Sequence, residues 1–212
     1  MSLWIGKVRR NLDSYDVKTT LWKILEHTLL APFYRHDRYC IYRADLDRVK
    51  VHEQVQDDLV IECLDSQDSA AIQQVEYQAE WLRHRLARLL AAGALCIVAR
   101  DGSRIVGFNV LLFGKVDIGV IRWRHTFRRH QAWSEYLWVH RDFRGQGVAT
   151  RIRQRGYQCL LDRGITSLYG GAFLANHASL RSANKSGFVN VAVVDFRIIL
   201  GRKRWQWRRA SP

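Results

Sequence analysis

The spacing of apolar positions changes several times along this chain, and each change marks an element. Leu21, Trp22, Ile24, Leu25, Leu29 and Leu30 recur at helical intervals, and Pro32 ends the run. Residues 38–46 and 57–64 are rich in aromatic and β-branched side chains and read as strands. Asp65-Ser66-Gln67-Asp68 offers side-chain oxygens to cap a long helix over 68–92, which Gly93 closes. Its Ile72, Val75, Ala79, Leu82, Leu86, Leu89 and Leu90 form one apolar stripe, and Arg83, Arg85 and Arg88 are its solvated side. Residues 94–100 and 104–113 are apolar runs joined by Asp101-Gly102-Ser103, which predicts a hairpin.

Further on, 132–140 reads as a strand and the segment from Val148 to near Arg163 as a helix. Residues 165–174 read as a strand, 176–186 as a short helix closed by Gly187, and 189–200 as a long strand. Two stretches keep two readings each. Residues 114–131 interleave arginine and histidine with Ile121, Trp123 and Phe127, as a charged strand extension or as a loop over a cleft. In the basic segment 202–209, Trp205 and Trp207 alternate, as in a last strand or a disordered arm. The alternation of strands and helices indicates an α/β or α+β sheet domain.

Composition narrows this picture less than the pattern does. A chain of 212 residues with 48% hydrophobic content buries a core, as one large domain or one domain with an appendage. The net charge of +14 attracts anions of many kinds and does not choose among them. Cys40, Cys63, Cys96 and Cys159 are far apart, each in an apolar run, so they read as buried reduced thiols; no metal site is expected. No stretch reaches the ~20 apolar residues that span a bilayer, and no secretory leader is recognisable, so a cytoplasmic protein is expected. The helix near residues 21–30 is read as packing on its own domain; contact with an anionic membrane or a homodimer contact are its other uses.

The candidate chemistry lies at Arg144-Gly145-Gln146-Gly147-Val148-Ala149-Thr150. Two glycines there sit between a strand end and a helix start. Such a turn offers backbone N–H groups and the positive helix end to an anion, and no Cβ keeps the ligand away. A P-loop needs lysine and Ser/Thr after its last glycine, where Val148 and Ala149 stand. A dinucleotide fold carries its glycines near the start of a βαβ unit, not late in the chain. On the strand before the turn, Glu135 is the best carboxylate candidate for a base, sharing a face with Leu137 and Val139 by strand alternation; an ion pair with one of the many arginines is its other reading. His140, His125 and His130 are weaker candidates.

Arg144-Gly145-Gln146-Gly147-Val148-Ala149 resembles the R-x-x-G-x-A motif of the GNAT N-acetyltransferase superfamily. The run from Asn176 to Phe188 resembles a second stretch of that family, with Asn176, Ser179, Lys185, Gly187 and Phe188 at the matching places. The resemblance covers about residues 58–200. It implies a mixed, mostly antiparallel central sheet flanked by helices over 57–201. Residues 1–56 are then an N-terminal extension, helix plus strand, and 202–212 a basic aromatic tail. It further implies transfer of an acetyl or other acyl group from acyl-CoA directly to an amine acceptor.

The resemblance also implies roles for residues. Leu137, Trp138 and Val139 would lie along the pantetheine arm. Arg144, Gly145, Gln146, Gly147, Val148, Ala149 and Thr150 would face the pyrophosphate through their backbone. Asn176 would contact the CoA arm or a bound water, and Ser179 would join the cofactor-binding set. Many relatives carry a proton-donating tyrosine where Ala183 stands, and Tyr169 on the neighbouring strand is the substitute available. The competing reading is a basic nucleic-acid-binding or membrane-surface protein that binds acyl-CoA without efficient transfer; no nucleic-acid motif supports it.

Overall fold

The computed structural model describes residues 34–49, 59–79 and 82–209. The helix expected at 21–30 lies outside them. The chain runs β1 (Tyr34–Asp45), a 3-10 turn (Leu46–Arg48), β2 (Leu59–Cys63), α1 (Ser69–Gln78), α2 (Leu86–Ala91), β3 (Leu95–Asp101) and β4 (Arg104–Leu112). It continues through β5 (Lys115–Ile118), β6 (Trp123–Thr126), β7 (Gln131–Val139), α3 (Val148–Leu161), β8 (Ser167–Phe173), α4 (His177–Lys185), β9 (Val189–Ile199) and β10 (Arg202–Arg209). The fold is mixed α/β: a large, mostly antiparallel sheet flanked by helices.

The chain forms two compact units. The larger holds Arg43–Gly170 and Lys185–Phe188, with strand order β8-β7-β4-β3-β2. Every pairing in it is antiparallel except β7 with β8. β3 and β4 are buried along nearly their whole length, which is why they read as unbroken apolar runs. On one face Cys96, Val98, Phe108 and Val110 pack with Ile72, Val75, Leu82 and Leu86 from the α1–α2 segment. α3 packs on β4, β3 and β2, with Ile152 beside Gly107 and Gly156 beside Leu111 and Ile97.

The single helix expected over 68–92 is two helices. Asp68 caps the first as expected, its carboxylate accepting from the Ala71 N–H at 2.9 Å. Near the end of α1, Glu76 then accepts from the N–H groups of His84 and Leu86, both at 3.0 Å. That carboxylate caps the start of α2 from outside it, and His84 takes a left-handed φ of 59°. The stretch 114–131 is neither a strand extension nor a loop but contains a second hairpin, β5 with β6 in its own sheet, with Arg124 Nε donating to Asp117 at 3.1 Å.

In the smaller unit the described residues are 34–42, 171–184 and 189–209, with strand order β8-β1-β9-β10. The basic segment after β9 is a strand, paired from Arg202↔Ile199 to Arg209↔Ala192. Trp205 explains its order: the indole lies 5.6 Å from the ring of buried Phe196. All four cysteines are free thiols; Cys40 and Cys96 are buried, whereas Cys63 and Cys159 are half-buried. Among the described residues no helix is long and apolar enough to cross a membrane.

Candidate functional site

Strand β7 changes character halfway along. Gln131–Ser134 runs parallel to Ser167–Gly170, and that ladder stops there. Along β4 the pairing continues to Val139 but slips once: Val110 faces Tyr136 and Leu111 faces Ser134. Glu135 is therefore the extra residue of a β-bulge. Asn109 fastens it from β4. Only 1% exposed, its Nδ2 donates to Ser134 Oγ at 2.9 Å and to the Tyr136 carbonyl at 2.8 Å, straddling Glu135.

The bulge breaks the alternation that was to put Glu135 on a face with Leu137 and Val139. Consecutive side chains at 135 and 136 come together instead. Trp133 Nε1 donates to Glu135 Oε2 at 2.5 Å, and the Tyr136 hydroxyl also bonds the carboxyl. The Arg85 guanidinium, exposed as expected, lies 6.0 Å from the Tyr136 ring centre. Burial raises the Glu135 pKa above the ordinary carboxylate value, against the pull of the indole, the phenol and Arg85. Burial, then the Glu135 charge, pushes Tyr136 up to about 12. The group is a carboxyl that holds a proton unusually well beside a phenol that keeps its own.

Tyr169 pairs in register with Trp133, and its ring centre is 5.6 Å from that of Phe127. Its hydroxyl is engaged by Gln131 Nε2 at 3.4 Å and by Arg43. His125 is held in a pile of rings between Trp123 and Phe127, and burial lowers its pKa. The His130 backbone carbonyl accepts from the Thr166 and Ser167 N–H groups, and the residue is exposed. His140 opens the glycine turn beside Arg104, at 2.8 Å.

After the bulge, the Trp138 ring stacks on Phe108 at 5.5 Å and packs against the α1–α2 core. The Trp138 side chain is thus part of the core wall. Then a 3-10 turn, Arg141–Phe143, reverses the chain. Arg144 Nε donates back to the Val139 carbonyl at 3.1 Å, and Gln146 Nε2 to the Asp142 carbonyl at 2.8 Å. Gly147, at φ 79°, is the N-cap of α3, and no side chain caps that helix. A Cβ built at Gly147 meets nothing within 4 Å, so the space before the helix end is open. The N–H groups of Arg144 and Thr150 bond the carbonyls of Arg141 and Gly147, at 3.2 and 2.9 Å. The row available to an anion thus shortens to residues 145–149. Left-handed glycine, an uncapped helix start, open space and flanking Arg141, Arg144 and Arg151 suit a diphosphate.

Asn176 and Ser179 belong to the smaller unit. There Asn176 Oδ1 accepts from the Ser179 N–H at 3.0 Å and caps α4. Ala183, also in that helix, is 2% exposed. The segment Lys185–Phe188 returns to the larger unit and locks onto α3. The Ser186 carbonyl accepts from the Tyr157 hydroxyl at 2.7 Å, and Ser186 Oγ from Arg153 at 3.1 Å. Arg153 also lies 5.5 Å over the Phe188 ring.

Sequence reasoning missed Asn109, Trp133, Tyr136 and Arg85. Only Asn109 left a visible trace, as an amide inside the apolar run 105–112.

Residues 60–188 match the model of the acetyltransferase (GNAT) family. Among solved structures the chain is similar to a putative GNAT-family acetyltransferase from Novosphingobium aromaticivorans, with a TM-score of 0.56 and 13% identity over 84% of this chain and 66% of that one. It is similar to a GCN5-related N-acetyltransferase from Sphaerobacter thermophilus (TM-score 0.53, 16% identity, 88% and 58%). A third is an aminoglycoside acetyltransferase from an uncultured soil metagenomic sample (TM-score 0.50, 17% identity, 63% and 90%). At such identities the likeness is one of fold. The chain spans less than two thirds of the first two. No protein of curated function matches the sequence.

Proposed function

The chain belongs to the acetyltransferase (GNAT) family, and from that premise we propose that it moves an acetyl or other acyl group from acyl-CoA directly to an amine. Residues 145–149 hold the CoA diphosphate: the glycines admit it, and the positive end of α3 faces its charge. Backbone groups of Leu137, Trp138 and Val139 pair with the pantetheine arm.

Glu135 takes the proton that the amine gives up as its nitrogen attacks the thioester carbonyl carbon. Its raised pKa suits it to that task better than an ordinary carboxylate. Trp133 and Tyr136 fix the carboxyl, and Asn109 fixes the backbone under it. The carbon–sulfur bond then breaks, the acyl group stays on nitrogen, and the sulfur leaves as thiolate. Ala183 brings no hydroxyl, so water protonates the thiolate.

What supports the reading above all is the bulge. It sets a half-buried carboxyl at the point where the β7–β8 ladder ends, on the strand that leads into the proposed anion cradle. Calorimetric titration of the protein with acetyl-CoA tests it. Wild type binds saturably, and Gly147→Trp, which fills the open space, weakens binding at least about a hundredfold, or about 2.7 kcal/mol, with the far-UV spectrum kept. Unchanged affinity in that variant overturns the reading.

A further inference from the structure

A second opening lies at the other end of β7. It is a cleft of about 370 Å³ in the larger unit, walled by Phe113, Phe127 and Ile165 and rimmed by Arg128, Arg129 and Arg163. We propose that this cleft binds a small amphipathic anion, one phosphate or carboxylate carried on a flat apolar body. The proposal stands apart from acyl transfer and does not need it.

Charge is the first ground. Three arginines line one cleft, and no carboxylate does. Among the described residues none of the three pairs with an acidic side chain. Like charges gathered this way repel one another, and an anion between them turns the repulsion into attraction. Guanidinium forks also match the oxygens of phosphate and carboxylate two at a time.

Shape and apolar character are the second ground, and they separate this cleft from the basic surface generally. Phe127 and Ile165 are each 5% exposed, so the floor is rigid core. The Arg163 guanidinium lies 5.9 Å from the Phe113 ring centre, which joins an apolar face to the charged rim. A volume near the lower end of the roughly 300–1,000 Å³ range for ligand pockets fits one ring or a short chain, not a nucleotide cofactor. Position is the third ground. Gln131 lines the cleft and begins β7, while the glycine turn follows the end of that nine-residue strand. At ~3.3 Å per residue the two openings are a strand length apart.

Calorimetric titration of the full chain with benzyl phosphate, inorganic phosphate and benzyl alcohol tests the proposal. Benzyl phosphate should bind saturably and at least about tenfold more tightly than inorganic phosphate, with no measurable binding of benzyl alcohol. Arg163→Gln and Arg128→Gln should each weaken benzyl phosphate about fivefold or more, whereas Gly147→Trp should leave it unchanged. Equal affinity for the two phosphates reduces the cleft to generic charge and overturns the proposal. So does absence of binding, or binding lost in Gly147→Trp and kept in Arg163→Gln.

Discussion

Gly147 and Gly187 adopt nearly the same left-handed backbone, at φ 79° and 84°, in opposite surroundings. Nothing stands within 4 Å of a Cβ built at Gly147, whereas one at Gly187 falls 2.9 Å from Val49 Cγ2. Around Gly147 the helix start is left uncapped. Beside Gly187 the hydroxyl of Tyr157 and the guanidinium of Arg153 bond Ser186, and Arg153 lies over the ring of Phe188. The two motifs that carry the family resemblance therefore do different work. One leaves open the space that the proposed ligand needs. The other ties the Lys185–Phe188 segment to α3.

Substitutions can break or sharpen that contrast. The largest effect belongs to Glu135→Gln, on the open side. Turnover of acetyl-CoA with an amine falls by about 10²–10⁴ if the carboxylate is the base. Stability moves the other way. Burial raises the folded-state pKa, so the stability that Glu135 contributes is full below the unfolded value and lost as pH rises through the folded one. Thermal melts at pH 4 and pH 8 should show the variant gaining on wild type as pH rises. If wild type gains on the variant, Glu135 is a structural ion and the open side is not built for chemistry.

Next comes Gly187→Ala, which strains the backbone and presses on Val49, costing about 2–4 kcal/mol in denaturant unfolding. Acetyl-CoA affinity of the folded fraction stays at the wild-type value. A fall in affinity comparable to that in Gly147→Trp would erase the distinction. The smallest effect is that of Asn109→Ala, which removes a buried amide and its bond to the Tyr136 carbonyl and costs about 1–3 kcal/mol. Urea unfolding measures that cost. It bears on the contrast because the open side also needs one satisfied amide beneath it.

Local chemistry was legible in the sequence and remote chemistry was not. Asp101-Gly102 announced its hairpin because the turn residues act within their own segment. The glycine turn was readable for the same reason. The helix over 68–92 was misread because Glu76 caps backbone groups eight and ten residues away, and apolar spacing carries no trace of such a bond. The bulge at Glu135 escaped because it depends on Asn109, on a different strand. The role of Lys185–Phe188 escaped because Tyr157 and Arg153 lie about thirty residues upstream, on a helix read for its apolar face alone. In the basic segment 202–209 both readings were open, and pairing with β9 decided for the strand.

β10 stands last in the strand order, so one of its sides meets no further strand among the described residues. An edge of that kind is a template on which another chain can add itself. Here it carries Arg202, Arg204, Arg208 and Arg209. A second copy docking there would bring the same cations within a strand spacing of ~4.8 Å, and repulsion opposes it. The guard is electrostatic, not steric, so it weakens as added salt shortens the reach of charge. Light scattering should therefore show self-association rising with added salt.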